Sequence, residues 1–178
     1  MSQTNLGCIH LYCGDGKGKT TAAMGLAVRA AGSGCRVLVL QFLKDGKSSE
    51  LRVLRNVPGI HVLDGQPVKK FTFQMNSDEK QACKLQHTAA LQEAIAAAER
   101  ETTDLLILDE CLGAIGSGTL DESVVLDFLR HKPAHLEVVL TGRDPSDTLI
   151  ELADYVSEIR KIKHPFDKGM AARMGIEK

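Results

Sequence analysis

The stretch LYCGDGKGKTTAAMG, residues 11–25, joins a short apolar run to an alanine-rich segment through a cluster of glycines. Glycines at positions 14, 16 and 18 allow the backbone to turn tightly and to present several N–H groups to one anion. The N-terminus of a helix that follows adds about half a positive charge, which also favours an anion. Strand, glycine loop and helix in this order predict a phosphate-binding loop.

This loop is one residue shorter than the usual phosphate loop, in which four residues separate the first glycine from Gly-Lys-Ser/Thr. Counting back from residues 18–20, the first position holds Cys13, and the nearest glycine is Gly14. Lys19 can reach phosphate oxygens, and the hydroxyl of Thr20 can bind Mg²⁺. The alternative is a strand–helix turn that binds no ligand.

Short apolar runs alternate with helical patterns along the whole chain, which predicts a mainly parallel α/β sheet with helices on both faces. The length suits a single domain of residues 1–178. Strands are predicted at 8–13, 36–42, 59–64, 105–110 and 137–142, with an edge strand at 155–163. Helices are predicted at 19–32, 77–101, 119–130 and 145–153, the last with Pro145 in its first turn.

Two further polar groups follow predicted strands. Asp109 and Glu110 end the run LLILDE, and Mg²⁺ prefers such oxygen ligands, so one carboxylate can hold the ion against phosphates. Arg143, in TGR at 141–143, can bind phosphate through two N–H groups. In parallel sheets ligands bind beyond the carboxyl ends of the strands, so these groups and the glycine loop are expected to converge. Acids and an arginine that only meet solvent are the alternative.

Composition excludes several classes of protein. Apolar residues make up 43% of the chain, charged residues 25%, and the net charge is −1, so no overall field attracts nucleic acid or an anionic membrane. The first residues lack the basic and apolar segments of a signal peptide, which predicts a cytoplasmic protein. The five cysteines are scattered without a C-x-x-C pair, which favours reduced thiols over disulfides or zinc.

Phe71 and Phe73 stand out because the chain has few aromatic residues and no tryptophan. If the segment KKFTFQM is extended, both rings lie on one side of it. This pattern leaves two roles for the rings as alternatives: packing in the core, or forming an apolar wall for a flat ligand. His10 and His164 have no metal-binding partners at useful spacing, and His10 is expected in a strand or the core.

With these residues assembled, nearly the whole chain resembles the ATP:corrinoid adenosyltransferases, which have a RecA-like fold. The resembling segments are GDGKGKTTAAMGLAVRAAGSG (14–34), VLVLQFLK (37–44), FTF (71–73), LLILDE (105–110) and the stretch from VVLTGRD to the end (138–178). Gly-Lys-Thr occurs in many phosphate-loop proteins, but the short loop and the segment 153–178 are specific to this family. Its members share the shortened loop.

The resemblance implies one reaction: transfer of the 5′-deoxyadenosyl group of ATP to the Co(I) of a reduced corrinoid, either cobalamin or a precursor, with release of whole triphosphate. It implies that ATP binds in the reverse direction along the loop, so that C5′ faces cobalt. It also implies Mg²⁺, a reduced flavoprotein as electron donor, and a homodimer. A phosphotransferase and a non-catalytic corrinoid- or nucleotide-binding protein are the alternative functions.

The family's residues carry over by motif. Lys19, Thr20 and Glu110 are implied as catalytic, with Thr20, Glu110 and the neighbouring Asp109 as metal ligands. The aromatic pair matches residues at the corrinoid, where they help to displace the lower axial ligand of cobalt. The implied ATP-binding residues are Gly14, Asp15, Gly16, Lys17, Gly18, Lys19, Thr20, Thr21 and Arg29.

Two departures from the family pattern bear on the corrinoid. Longer relatives carry an N-terminal helical extension over that site, so we expect a different cover here or one from a partner subunit. The stretch DECLGAIGSG (109–118) replaces one that usually carries a polar residue and a tyrosine after the acids. Local substrate contacts at 111–113 are therefore expected to differ, whereas the metal acid is retained.

Overall fold

A computed structural model describes residues 6–44, 48–65, 68, 70–100 and 102–177. The strands are β1 (Ile9–Cys13), β2 (Val37–Gln41), β3 (Ile60–Val62), β4 (Leu105–Asp109), β5 (Glu137–Thr141) and β6 (Tyr155–Glu158). The α-helices are α1 (Lys19–Gly32), α2 (Ser49–Leu54), α3 (Ser77–Arg100), α4 (Cys111–Gly116), α5 (Glu122–His131) and α6 (Asp147–Leu152). Two 3₁₀ turns span Thr72–Gln74 and Pro165–Lys168.

The strands form one parallel sheet in the order β3-β2-β4-β5-β1-β6. β5 lies between β1, which leads into the glycine loop, and β4, which ends at the acids. Because every strand runs in the same direction, the carboxyl ends share one edge of the sheet. The predicted parallel α/β architecture and the convergence of the three marked loops are both confirmed.

Helices cover both faces of the sheet. On one face, Met24 of α1 and Leu51 of α2 belong to an apolar cluster with alternate residues of the central strands. On the other face, α3, α4, α5 and α6 contribute to a second cluster, with Leu91 and Phe128 among its members. All five residues of β4 are buried, as its unbroken apolar run predicted.

Helix ends differ from the predictions where side chains bind the backbone. α5 begins at Glu122 instead of residue 119, since Thr119 is buried and its N–H donates to the Ala114 carbonyl over 2.9 Å. α6 begins at Asp147, with Ser146 as its N-cap, so Pro145 precedes the helix instead of lying in its first turn. Residue 101 of the predicted long helix lies outside the described residues.

Two short helices were not predicted. α2 has only six residues, and α4 contains two glycines, so neither has a strong local signal. α4 is stabilised by packing instead, because Cys111, Leu112 and Ala114 are all buried. The predicted strand at 155–163 is indeed an edge strand, but it ends at Glu158, and the chain then crosses the glycine loop.

None of the five cysteines, all of which lie in the described ranges, forms a disulfide, and four of them are buried, in agreement with the prediction of reduced cysteines. Burial raises the pKa of the Cys111 thiol, so this group stays protonated and unreactive. No helix within the described ranges is long and apolar enough to span a bilayer.

Candidate functional site

The glycine loop joins β1 to α1 and is fastened to the segment that continues β6. The Ile159 N–H donates to the carbonyl of Cys13, the last residue of β1, over 2.8 Å, which extends the β1–β6 ladder past the end of β6. The Gly16 N–H then donates to the Ile159 carbonyl over 2.7 Å. The first half of the loop is therefore fixed by the chain's own backbone.

This close approach requires glycine at positions 14 and 16. A Cβ atom on Gly14 would lie 2.5 Å from the Ile159 carbonyl oxygen, and one on Gly16 would lie 2.7 Å from the same atom. Gly14 also has a φ of +102°, which side chains rarely adopt. Sequence reasoning assigned these glycines to an anion, but the structure shows that the docked segment already requires them.

Asp15 takes part in the same docking. Its Oδ1 accepts a hydrogen bond from the Lys161 N–H over 2.8 Å, and this bond is the main cause of the lowered pKa of its carboxyl. The side chain is exposed. Its resemblance-based role as an ATP contact stays a prediction, whereas its contact with segment 159–161 is a structural fact.

The second half of the loop is open to an anion. Within the described part of the chain, the N–H groups of residues 17–20 have no hydrogen-bond acceptor. The Lys19 side chain is buried, and its Nζ donates to the Gly16 carbonyl over 2.9 Å. Burial lowers the pKa of Lys19, and the positive charge of Arg143 lowers it further. Free amides beside a poorly solvated ammonium favour binding of a phosphate group.

The ends of β4 and β5 are joined by a hydrogen-bonded network around Asp109. Thr141 Oγ1 donates to Asp109 Oδ1 over 2.7 Å and accepts from the Glu110 N–H over 2.9 Å. Asp109 is fully buried, and its Oδ2 accepts from Gln41 Nε2 at 2.8 Å and from Lys44 Nζ at 3.1 Å. Both oxygens of this carboxylate are therefore already engaged.

Glu110 has a different environment from its neighbour. Its backbone is left-handed, with a φ of 58°, and its side chain is half-buried. No hydrogen-bond donor among the described residues reaches its carboxylate. Burial raises the pKa of this carboxyl, the charge of Asp109 raises it further, and nearby lysines and an arginine lower it. A poorly solvated carboxylate without a donor is suited to binding a cation.

The residues fit a Mg²⁺ ion that is shared with a nucleotide. Lys44 Nζ lies 3.5 Å from Thr20 Oγ1 and 3.1 Å from Asp109 Oδ2, so the hydroxyl and the acid flank one small space. In the ranges that the structure covers, no group of three His, Cys, Asp or Glu side chains could hold a metal alone. Mg²⁺ usually takes one or two carboxylates and completes its shell with water and substrate phosphates.

Arg143 follows β5 and lies beside the loop. It lines a pocket of about 350 Å³ together with Asp15, Lys161, His164, Phe166 and Asp167. Its charge lowers the pKa of both Lys19 and Glu110, so the guanidinium contributes to the electrostatics of the phosphate loop. Arg143 is exposed, and its guanidinium can bind a phosphate group that enters this pocket.

Arg29 and Thr21 are not brought into the centre of the loop. Arg29 lies in the last turn of α1 and is exposed. It lies ten positions after Lys19, which at 1.5 Å per residue is about 15 Å along the helix axis. Thr21 is exposed in the first turn of the same helix. Their contacts with a nucleotide stay predictions.

The aromatic pair stands in solvent. Phe71 is 71% exposed and Phe73 is 80% exposed, which excludes core packing. The segment forms a 3₁₀ turn at Thr72–Gln74 instead of an extended strand, yet the two rings still meet. Their centroids are 5.4 Å apart, with an angle of 13° between the planes. Two stacked, exposed rings can offer an apolar surface to a flat ligand.

Sequence reasoning missed three contributors to the site: Gln41, Lys44 and the segment 159–161. Gln41 ends β2, and Lys44 follows that strand closely. In the same way, Asp109 ends β4 and Arg143 follows β5. The strand-end rule applied to Asp109 could therefore have found Gln41 and Lys44. The contribution of 159–161 depends on a hydrogen bond to the distant Gly16, for which no local sequence signal exists.

Comparisons with known proteins agree on one family. The model described as "ATP:corrinoid adenosyltransferase BtuR/CobO/CobP" matches residues 5–177. The corrinoid adenosyltransferase CobA of Salmonella typhimurium is 34% identical over 177 residues, which is 99% of this chain and 88% of that protein. The corrinoid adenosyltransferase of Escherichia coli K12 is 34% identical, with the same coverage. That of Pseudomonas aeruginosa is 33% identical over 96% of this chain and 83% of its own.

A solved structure shares the fold at low sequence identity. The KaiC-like protein PH0186 of Pyrococcus horikoshii superposes with a TM-score of 0.55 over 86% of this chain and 72% of its own, at 15% identity. The likeness supports the RecA-like α/β class and, at this identity, nothing about ligands.

Proposed function

The chain belongs to the ATP:corrinoid adenosyltransferase family, and we propose that it transfers the 5′-deoxyadenosyl group of ATP to the Co(I) of a reduced corrinoid. The corrinoid is cobalamin or a precursor such as cobyrinic acid a,c-diamide, and the second product is triphosphate. One observation of the site carries this proposal: free loop amides, Lys19 and the donor-free carboxylate of Glu110 meet at one edge of the sheet.

The bond changes define what the site must stabilise. The electron pair of Co(I) forms a bond to C5′ of ATP, and the C5′–O bond breaks with its electron pair passing to the triphosphate. Negative charge therefore grows on the leaving group, where the amides of residues 17–20 and the ammonium of Lys19 stabilise it. ATP lies along the loop with C5′ towards the corrinoid, opposite to its direction in a kinase.

Mg²⁺ belongs to the proposed site, with Glu110 and Thr20 as its protein ligands and Asp109 beside them. When bound, the ion neutralises part of the triphosphate charge. Thr141 fixes the Glu110 backbone through its hydroxyl, which is itself held by Asp109. The fully buried Asp109 thus orients the residue that faces the ion.

Phe71 and Phe73 bind the corrinoid in this proposal, and their exposure and mutual stacking support it. Aromatic side chains against the ring displace the lower axial ligand of cobalt. A four-coordinate Co(II) receives no electron density from an axial ligand and is easier to reduce to Co(I). A reduced flavoprotein supplies the electron.

Four properties complete the proposal. Residues 1–178 work as one domain, the protein is cytoplasmic, and two copies form a homodimer. Neither nucleic acid nor a membrane is a partner, which fits a net charge of −1.

Analysis of the products tests the proposed reaction. Purified protein is mixed with MgATP and a chemically reduced corrinoid, once with cobalamin and once with a base-free precursor. We expect a light-sensitive cobalt–carbon product and stoichiometric triphosphate. Release of ADP or free phosphate would instead identify a phosphotransferase. Binding of both ligands without turnover would identify a non-catalytic binding protein.

A further inference from the structure

Lys44 lies between Thr20, a proposed Mg²⁺ ligand, and Asp109, which borders the proposed Mg²⁺ position. Its Nζ is 3.1 Å from Asp109 Oδ2 and 3.5 Å from Thr20 Oγ1. The Lys44 side chain is 29% exposed, and that of Asp109 is wholly buried. A protein ammonium therefore stands where a divalent cation is expected.

The backbone around Lys44 is held in place. Phe42 is buried, and its N–H donates to the Asp109 carbonyl over 2.9 Å, which ties the end of β2 to β4. Leu43 adopts a left-handed φ of 56°, which a branched side chain seldom accepts without support from its surroundings. This turn places Lys44 beside the end of β4 instead of continuing the direction of β2.

An ammonium and a Mg²⁺ ion cannot share this space, because their charges repel strongly at such short range. Binding of MgATP must therefore displace Nζ from Asp109. The lysine stem is flexible, and Thr20 lies in the first turn of α1, the helix that follows the loop. The acceptors that MgATP brings within reach of the displaced ammonium are the oxygens of the triphosphate.

We propose that Lys44 is a further nucleotide-binding residue with two positions. In the free protein its ammonium holds the cation position between Thr20 and Asp109, and with ATP bound it pairs with the triphosphate. The second position rests on the proposed function, since it makes Lys44 one of the cations on the leaving group. The position between Thr20 and Asp109 in the free protein is independent of which reaction the protein catalyses.

Substitution of Lys44 tests the two positions separately. Loss of its charge should strengthen binding of a divalent cation to the free protein, but it should weaken binding of triphosphate. Mn²⁺ serves as the probe for Mg²⁺, and its binding to nucleotide-free protein is followed by electron paramagnetic resonance. We expect Lys44→Met to bind Mn²⁺ about tenfold more tightly than the unmodified protein, since the competing cation is gone. The same variant should bind inorganic triphosphate more weakly and lower kcat for transfer by about tenfold or more.

Lys80→Met is the matched control, because Lys80 is an exposed lysine in the first turn of α3. It should leave Mn²⁺ affinity, triphosphate affinity and kcat unchanged. Lys44→Gln, a polar neutral variant, is measured in parallel so that a folding defect of the methionine variant does not prevent the test.

Equal Mn²⁺ affinity in the neutral Lys44 variants and the unmodified protein would overturn the first position. Unchanged triphosphate affinity and kcat would overturn the second. If the unmodified protein transfers no adenosyl group, yet the opposite shifts in Mn²⁺ and triphosphate affinity are seen, Lys44 keeps its role and the proposed reaction is wrong.

Discussion

The nucleotide half of the candidate site is built from buried strand ends, whereas the aromatic half stands in solvent. Asp109 and Lys19 are buried and hydrogen-bonded, and the glycine loop that precedes Lys19 is tied to the continuation of an edge strand. Phe71 and Phe73, in contrast, are each more than two thirds exposed and contact one another.

This difference separates two ways of preparing a site. Groups that must stabilise charge need fixed positions, because a preorganised site does not have to reorganise as charge develops. An aromatic surface for a large flat ligand gains its stabilisation when the ligand covers it. Substitutions in the nucleotide half should therefore abolish the chemistry, whereas those in the aromatic half should affect one step.

The largest effects are expected in the nucleotide half. Lys19→Ala removes a buried cation from the triphosphate, and Glu110→Gln removes the carboxylate proposed for Mg²⁺. Each should lower kcat/KM for adenosyl transfer about a hundredfold or more, measured as formation of the cobalt–carbon product. Glu110→Gln should not lower the unfolding temperature, since it replaces a charge that burial disfavours. Transfer within tenfold of the unmodified rate would contradict this account.

A smaller and more selective effect is expected in the aromatic half. Phe73→Ala should slow Co(II) reduction by the flavoprotein about tenfold, while the Kd for MgATP stays unchanged, because the exposed ring stacks on Phe71 and is not part of the buried network. Phe73→Trp keeps an aromatic surface and is the control. Equal losses with enzymatically reduced and chemically pre-reduced corrinoid would count against a role in reduction.

A third substitution tests whether the loop is held by its neighbour. Asp15→Ala removes the acceptor for the Lys161 N–H, so we expect KM for ATP to rise about three- to tenfold, in keeping with one exposed hydrogen bond. Asp15→Asn retains an acceptor oxygen and should restore the unmodified KM. Amide hydrogen exchange at Gly16 should accelerate only in the alanine variant. If both variants lose activity equally, Asp15 instead contacts the substrate.

The smallest effect concerns the stability of the sheet beneath the site. His87 is buried, packs against the Phe42 ring at 5.3 Å and contacts the Thr119 carbonyl through Nδ1 at 3.0 Å. Burial lowers the pKa of His87 below the usual 6.5. Below about pH 6.5 the imidazole is therefore protonated in the unfolded chain but stays neutral in the folded protein. The free energy of unfolding should therefore decrease by up to about 1.4 kcal/mol per pH unit as the pH falls below 6.5.

Urea unfolding at several pH values measures this slope. In His87→Gln the slope should be shallower by this contribution, because glutamine does not titrate. His131→Gln replaces an exposed histidine and should retain the unmodified slope. Identical slopes in all three proteins would show that His87 does not control the pH dependence.

The regular elements were predictable where one local signal dominated. The helix at Lys19–Gly32 was predicted to the residue, because a glycine loop precedes it and glycines end it. The buried strands were recognised from unbroken apolar runs. The start of α5 was predicted three residues early, and α4 was missed, because burial of Thr119 and Leu112 decides both and burial depends on distant residues.

The residue types of the candidate site were predictable from the sequence, but which of them are engaged by the protein itself and which are available to a ligand was not. The spacing of Asp109 and Glu110 does not reveal that one carboxylate is saturated by hydrogen bonds and the other is not. The pattern Phe-x-Phe predicted only that both rings would lie on one side of an extended segment, and it did not reveal the turn that stacks them. Gly14 and Gly16 matched an anion loop, although packing of Ile159 requires them as well.

The hydrogen bond between Gly16 and Ile159 also sets an order of events during synthesis. The loop follows β1, the first strand, whereas the segment that completes it follows β6, the last strand of the sheet. A ribosome-bound chain can form the early strands and α1, but its loop lacks its docking partner until β6 emerges. Competence to bind nucleotide should therefore arise only after β6 and residue 159 have been synthesised, so a protein truncated before β6 would contain the whole phosphate-loop motif and still lack the site.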